Sequence, residues 1–250
     1  MMNFSKWLIL CWAAMSPFSW AENMHVSLTA NEWPPYTSAN IEGGGLVIEL
    51  IKSAFAEEDV TIDYVIMPWA RAMASVEAVR KDAVAAWYSE ERSEKFVFSD
   101  VLLINHAVMV KRKNADIQWQ ELEDLIPYSF VLLIDAVNEE QFDQYDALDK
   151  TYVGDEKQAL DMVIKKRVDM TVRDQGMVEY LIETEPERFA DKLDFVEKKL
   201  AHNSLSLMLS KQHPNREEII AHFNRGLSKI KENGRYQALL EKYNVSALEH

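Results

Sequence analysis

Cysteine is almost missing from this chain of 250 residues: the single one, Cys11, sits in a short apolar stretch near the N-terminus. Beyond residue 21 there is none, which excludes disulfides, thiolate metal sites and a cysteine nucleophile from the rest of the chain. Glycine is scarce too, at seven residues. No GxGxxG or GxxxxGK[ST] loop is present to cradle a phosphate, and no GxSxG elbow to present a serine. Gly43, Gly44 and Gly45 precede a helical pattern but lack that spacing and a following lysine. The six histidines form neither HExxH nor any pair with metal-ligand spacing, and His202 and His213 read as surface or hinge residues. Basic side chains are outnumbered, 27 against 41 acidic, for a formal charge of −14. Such an excess repels phosphate backbones and anionic lipid heads, and argues against nucleic-acid or peripheral membrane binding. Paired carboxylates such as Glu57-Glu58 and Glu139-Glu140 read as solvated surface.

Long apolar runs are also lacking. Residues 7–15 (WLILCWAAM) fall short of the ~20 that span a bilayer. With Lys6 before them and Ser19 and Ala21 after, they read as a signal peptide over residues 1–21, cleaved after Ala21, so the expected location is the periplasm. Leu10 before Cys11 is the wrong neighbour for a lipidation site. Residues 248–250 read as a possible tag remnant.

What the chain does contain is alternation. Strand patterns at 25–30, 61–67, 83–87, 129–134, 168–172 and 205–209 are interleaved with amphipathic helical patterns at 46–55, 69–80, 119–125, 156–166, 176–183, 216–230 and 235–243. Residues 101–110 form another apolar, extended run. The order implies an α/β protein with mostly parallel sheets, whose ligands bind beyond the carboxyl ends of the strands. Polar breaks at Lys111-Arg112-Lys113-Asn114 and at Ala201-His202-Asn203 suggest that the chain leaves one lobe and later returns to it. No internal repeat is visible.

Three clusters stand at strand-to-helix junctions. Asn31-Glu32-Trp33-Pro34-Pro35-Tyr36 holds two aromatic rings on a proline-fixed loop, where they either stack on a ligand or pack on the core. Met67-Pro68-Trp69-Ala70-Arg71 sets a ring and a guanidinium at a helix start; Arg71 faces an anion there or pairs with a surface carboxylate. Trp87-Tyr88-Ser89-Glu90-Glu91-Arg92 carries an arginine, the natural bidentate partner of a carboxylate, beside two glutamates.

These residues in this order, with SEERSEKFVFSD over 89–100 and the closing Asn233-Gly234-Arg235-Tyr236, resemble bacterial solute-binding protein family 3, the type II periplasmic receptors of polar amino-acid uptake. The resemblance runs over nearly all of the chain past residue 21. It implies a two-lobed fold with mostly parallel sheets and two hinge strands, near Met109 and Ser206. Lobe one would be residues 22–109 and 206–247, and lobe two residues 110–205. It implies binding without catalysis or cofactor, by a monomer that hands a small zwitterionic or anionic solute to an ABC permease or a membrane sensor.

Carried over by position, Arg92 matches the arginine that clamps a ligand carboxylate, and Asp174 the acid that receives an ammonium. Trp69, with Trp33 or Tyr36, matches the aromatic walls. Arg71, Tyr88, Ser89 and Arg173 complete the expected site, with Asp135 in place of the small Gly/Thr loop usual for plain amino acids. A ligand of modified or longer shape follows from those departures. Two alternatives stand beside this reading: a dehydratase-like lyase using Glu90, Glu91, Asp135 or Asp174 as its acid or base, and a sensor without a transporter.

Overall fold

The computed structural model describes residues 24–134, 136–243 and 245. The expected signal peptide with Cys11, the possible tag remnant and Asp135 lie outside the described residues. Among the described residues nine strands form one continuous sheet: β1 (His25–Ala30), β2 (Thr61–Ile66), β3 (Ala83–Trp87), β4 (Phe96–Arg112), β5 (Ser129–Leu133), β6 (Asp149–Val153), β7 (Met170–Asp174), β8 (Leu193–Phe195) and β9 (Ala201–Ser210). The helices are α1 (Leu46–Ala56), α2 (Trp69–Glu77), α3 (Glu90–Lys95), α4 (Glu140–Gln144), α5 (Glu156–Ile164), α6 (Gln175–Thr184), α7 (Pro186–Phe189), α8 (Arg216–Glu232) and α9 (Arg235–Lys242). Among the described residues no helix is long and apolar enough to cross a membrane.

The strand order is β2-β1-β3-β9-β4-β7-β5-β6, with β8 on β4. Parallel pairing holds within β2-β1-β3 and within β7-β5-β6. Among the nine named strands, antiparallel pairing is confined to contacts of β4 and β9, the two long strands that join these halves. Over Phe96–Ala107 β4 pairs with β9, and from Ala107 to Lys111 it pairs with β7. The break expected at Lys111–Asn114 therefore comes only at the end of β4, where Asn114 takes a φ of 68°. The break expected at Ala201-His202-Asn203 does not occur: those residues begin β9, in register with Asn105, His106 and Ala107.

Apolar spacing explains the helices. Leu46, Val47, Leu50, Ile51, Ala54 and Phe55 put one face of α1 into the core. Ile219, Phe223, Leu227 and Ile230 do the same for α8. The two cross where a Cβ on Gly226 would meet Ala54 O at 1.9 Å, so only glycine lets the backbones approach. A separate apolar cluster around Phe130, Phe142, Met170 and Trp119 lies beneath β5 and β7.

Several expected elements change. The helix expected over 119–125 shrinks to a 3-10 turn, Leu122–Leu125, with a reciprocal cap between Glu121 and Asp124, because Trp119 is buried in that second cluster. The 69–80 helix stops at Glu77, and the strand at 168–172 shifts to Met170–Asp174. Strand β6 is unforeseen, since DKTYV sits at the sheet edge and is mostly exposed. His213 is buried, not superficial. Glu58 is not a freely solvated carboxylate: Lys229 and Arg225 hold it at 2.6 and 2.7 Å.

Candidate functional site

A cavity of about 500 Å³ opens between the halves of the sheet. Its walls come from the carboxyl ends of six parallel strands, with Leu205 of β9: Asn31 to Trp33 after β1, Ile66 to Trp69 at the end of β2, Ala85 to Trp87 and Arg92 at the end of β3, Leu133, Ile134 and Ala136 to Asn138 at the end of β5, Gly154 to Glu156 after β6, and Val172 to Asp174 on β7. This is where open α/β sheets bind ligands, and the size falls within the range of small-molecule sites.

The first half supplies aromatic walls and one cation. Trp33 packs at 4.4 Å from Tyr36 and edge-on at 5.8 Å from Trp87. The loop that carries Trp33 is tied to α1: Pro35 O and Tyr36 O accept hydrogen bonds from Leu46 N and Val47 N, at 3.0 and 2.8 Å. These carbonyls fill the place of a side-chain cap, which α1 lacks. Gly45, at a φ of 97°, allows the approach, because a Cβ there would stand 2.6 Å from Tyr36 O. Arg92 rises from α3, whose cap is Ser89, accepting from Arg92 N at 3.2 Å. The Arg92 guanidinium lies 5.3 Å from the Trp69 ring and donates to Trp87 O at 2.9 Å.

The second half supplies buried charge. Asp174 ends β7 and caps α6: Oδ1 accepts from Met177 N at 2.8 Å, and Oδ2 accepts from Asn105 Nδ2 at 2.9 Å. Burial pushes its carboxyl up to about 7, against the lowering pull of Met177 N, Tyr36 and Asn105. Tyr36, itself raised by burial and by Asp174, lies beside it behind the cavity. Arg173 is 4% exposed, and its Nε stands 2.9 Å from Glu156 Oε2. Neither of those atoms, nor Arg173 Nη2, completes a hydrogen bond. Burial raises the Glu156 carboxyl and lowers the Arg173 guanidinium, each opposed by the other's charge.

Five expected residues thus meet at the cavity: Trp33, Trp69, Arg92, Arg173 and Asp174. Tyr36 does not line it; the turn of its loop aims the hydroxyl at Asp174 and Gly176. Arg71 is exposed on α2 and away from the cavity. Tyr88 is exposed against Phe98, with ring centroids 5.2 Å apart, and Ser89 is used as a helix cap. Sequence reasoning gave no site role to Trp87, Asn138 or Glu156. Trp87 ends a recognised strand, which was the available signal. Glu156 follows the unrecognised β6, so nothing marked its turn as facing the cavity.

Solved structures share this architecture. A histidine kinase sensor domain with similarity to periplasmic binding proteins superposes with a TM-score of 0.79 at 20% identity, over 92% of this chain and 98% of that one. The GluR0 ligand-binding core from Nostoc punctiforme, in complex with L-glutamate, gives 0.73 at 20% identity over 87% and 98%. A chain solved for glutathione import via GshT and the cystine ABC importer TcyBC of Streptococcus mutans gives 0.78 at 18% identity over 91% and 98%. No curated protein matches the sequence. The family model that matches spans residues 26–246, and the chain belongs to the bacterial extracellular solute-binding proteins, family 3.

Proposed function

We propose that this protein captures a small amino-acid-like solute in the cavity and presents the closed form to an ABC-type permease. The observation that carries the reading is the division of the walls. Arg92 and three indoles come from one half of the sheet and a set of buried charges from the other, with only β4 and β9 between them. A ligand carboxylate pairs with the Arg92 guanidinium. Its body lies among Trp33, Trp69 and Trp87, and its cationic end meets a carboxylate of the second half. Residues 22–109 with 206–247 would move against 110–205, bending β4 near Met109 and β9 near Ser206. The ligand favours the closed state by touching both halves at once. Asp174 caps α6 and is held by Asn105.

Thermal melting against amino acids, small peptides, organic acids and amines tests the reading. A ligand at 100 times its Kd stabilises by about 2.7 kcal/mol. A stabilising amino acid whose effect disappears in Arg92→Ala is the expected result. Stabilisation unchanged in that variant moves the site elsewhere.

A further inference from the structure

Three acids of the second half line the cavity, Asp155, Glu156 and Asp174, and the last two differ in what already surrounds them. Each Asp174 oxygen accepts a hydrogen bond within the protein, from Met177 N and from Asn105 Nδ2, and Tyr36 lies against the same carboxyl. Most of the roughly four acceptor positions of a carboxylate are spoken for. Glu156 opens α5 but does not cap it; Asp155 does, accepting from Gln158 N at 2.8 Å. Its side chain keeps 21% of its exposure and lines the cavity. Behind it stands Arg173, its side chain 2% exposed, with Nη2 unpartnered. The pair is close enough for strong attraction and short of a hydrogen bond, so Glu156 retains acceptor capacity.

We infer that Glu156, oriented from behind by Arg173, is the residue that receives the cationic group of the ligand, and that Asp174 positions α6 and β7 without contacting it. This rests on the reading of the cavity as the capture site. The ligand class follows: a carboxylate end for Arg92, an apolar or aromatic body for the indoles, and an amine at the Glu156 end. Glu32 and Asp155 also face the cavity and add to a field that favours the amine.

The test uses matched probes that differ only in an amino group at the end away from the carboxylate: L-lysine with L-norleucine, L-ornithine with L-norvaline, and 5-aminopentanoate with pentanoate. Affinities are measured by calorimetry. The wild type is expected to prefer the amino member of at least one pair by about tenfold or more, the size of one charge-assisted hydrogen bond. Glu156→Gln is expected to bring that preference to within about threefold of parity, and Asp174→Asn to leave it intact. Because Glu156→Gln strands the Arg173 charge, the double variant Glu156→Gln with Arg173→Gln is read alongside, with melting in the absence of ligand as the folding control. A preference that survives in both Glu156 variants and collapses in Asp174→Asn overturns the inference and leaves the capture reading standing. If no probe and no library compound binds the wild type, both fall together.

Discussion

The two halves of the sheet are built on the same plan and closed by the same pair of side chains. In the first, Ser27 on β1 donates through its N and Oγ to Asp82 Oδ2, at 2.6 and 2.7 Å, and Asp82 directly precedes β3. In the second, Ser129 on β5 donates through the same atoms to Asp169 Oδ2, at 3.0 and 2.8 Å, and Asp169 directly precedes β7. A third residue completes each clasp, and it comes from the end of the strand that enters that half. His213, just past β9, meets Asp82 at 2.8 Å; Arg112, the last residue of β4, meets Asp169 at 3.4 Å. The amino ends of the parallel strands are thus alike, while their carboxyl ends diverge. The last residue of β3 is Trp87 and that of β7 is Asp174, and Asn105 joins the two, accepting from Trp87 Nε1 and donating to Asp174. One end of the scaffold is kept for stability, and the other is varied to make an aromatic wall face a charged one.

The two ends should respond oppositely to pH, and the largest effect belongs to Asp174. Its folded pKa of about 7 stands above the ordinary 3.8. The protonated form is favoured in the folded state, so its contribution is complete below about pH 4 and is lost as pH rises through 7. The full swing is roughly 4 kcal/mol at most. Asp174→Asn should remove it: relative to wild type, the variant gains stability between pH 4.5 and pH 8 in denaturant melts. Parallel curves for the two proteins would show that Asp174 ionises in the folded state without penalty.

The clasp aspartates come next, with the reverse slope. Burial raises Asp82, but the Ser27 backbone and hydroxyl and then His213 outweigh it, and the net shift is downward. Asp169 is lowered in the same way by Ser129 and Arg112. Depressed carboxylates stabilise above the ordinary range and lose that contribution as pH falls through the folded value. Asp82→Ala should cost about 3 kcal/mol near pH 7 and Asp169→Ala about 2, through lost hydrogen bonds and a stranded backbone N–H. The difference follows from the shorter bonds at Asp82 and its lower exposure, 25% against 37%. Equal losses in urea melts would show that the two clasps are energetically as well as geometrically alike.

This duplication was illegible in the sequence because the partners lie 55 residues apart in one half and 40 in the other. No fixed period exists to detect. Strands with dense apolar runs, such as β1, β3 and β5, were readable, as were α1 and α8 from their spacing. Edge strand β6 and the short α3 and α4 were not, because few of their residues are buried. At the cavity, the strand-end position singled out the clusters that hold Trp33, Trp69 and Arg92, and the family resemblance gave those residues their roles. The exchange between Tyr36 and the indoles was not, because which ring of a Trp-Pro-Pro-Tyr loop faces outward depends on how α1 docks against its carbonyls. Glu156 was hidden for a different reason: a glutamate on a polar turn looks like surface until the opposite wall is in place.

The smallest effect separates the third members of the clasps. Arg112 does more than pair with Asp169: Nη1 donates to Val168 O at 2.9 Å and to Val163 O at 3.3 Å, so it also ties the end of α5 to the start of β7. His213 works at the opposite helix end. Its Nδ1 accepts from Asn215 N at 3.1 Å beside the start of α8, which leaves Nε2–H to donate to Asp82. Arg112→Lys keeps the charge but loses the planar fork that reaches a carboxylate and two carbonyls together, and should cost about 1 kcal/mol. His213→Gln retains one donor and one acceptor at similar reach and should cost about half as much. Urea denaturation of the two single variants and of the double variant measures both costs, and their sum should hold within ~0.5 kcal/mol if the clasps act independently. A larger coupling would mean that β4 and β9 transmit strain between the halves, and that the scaffold ends of the strands take part in closure along with the cavity.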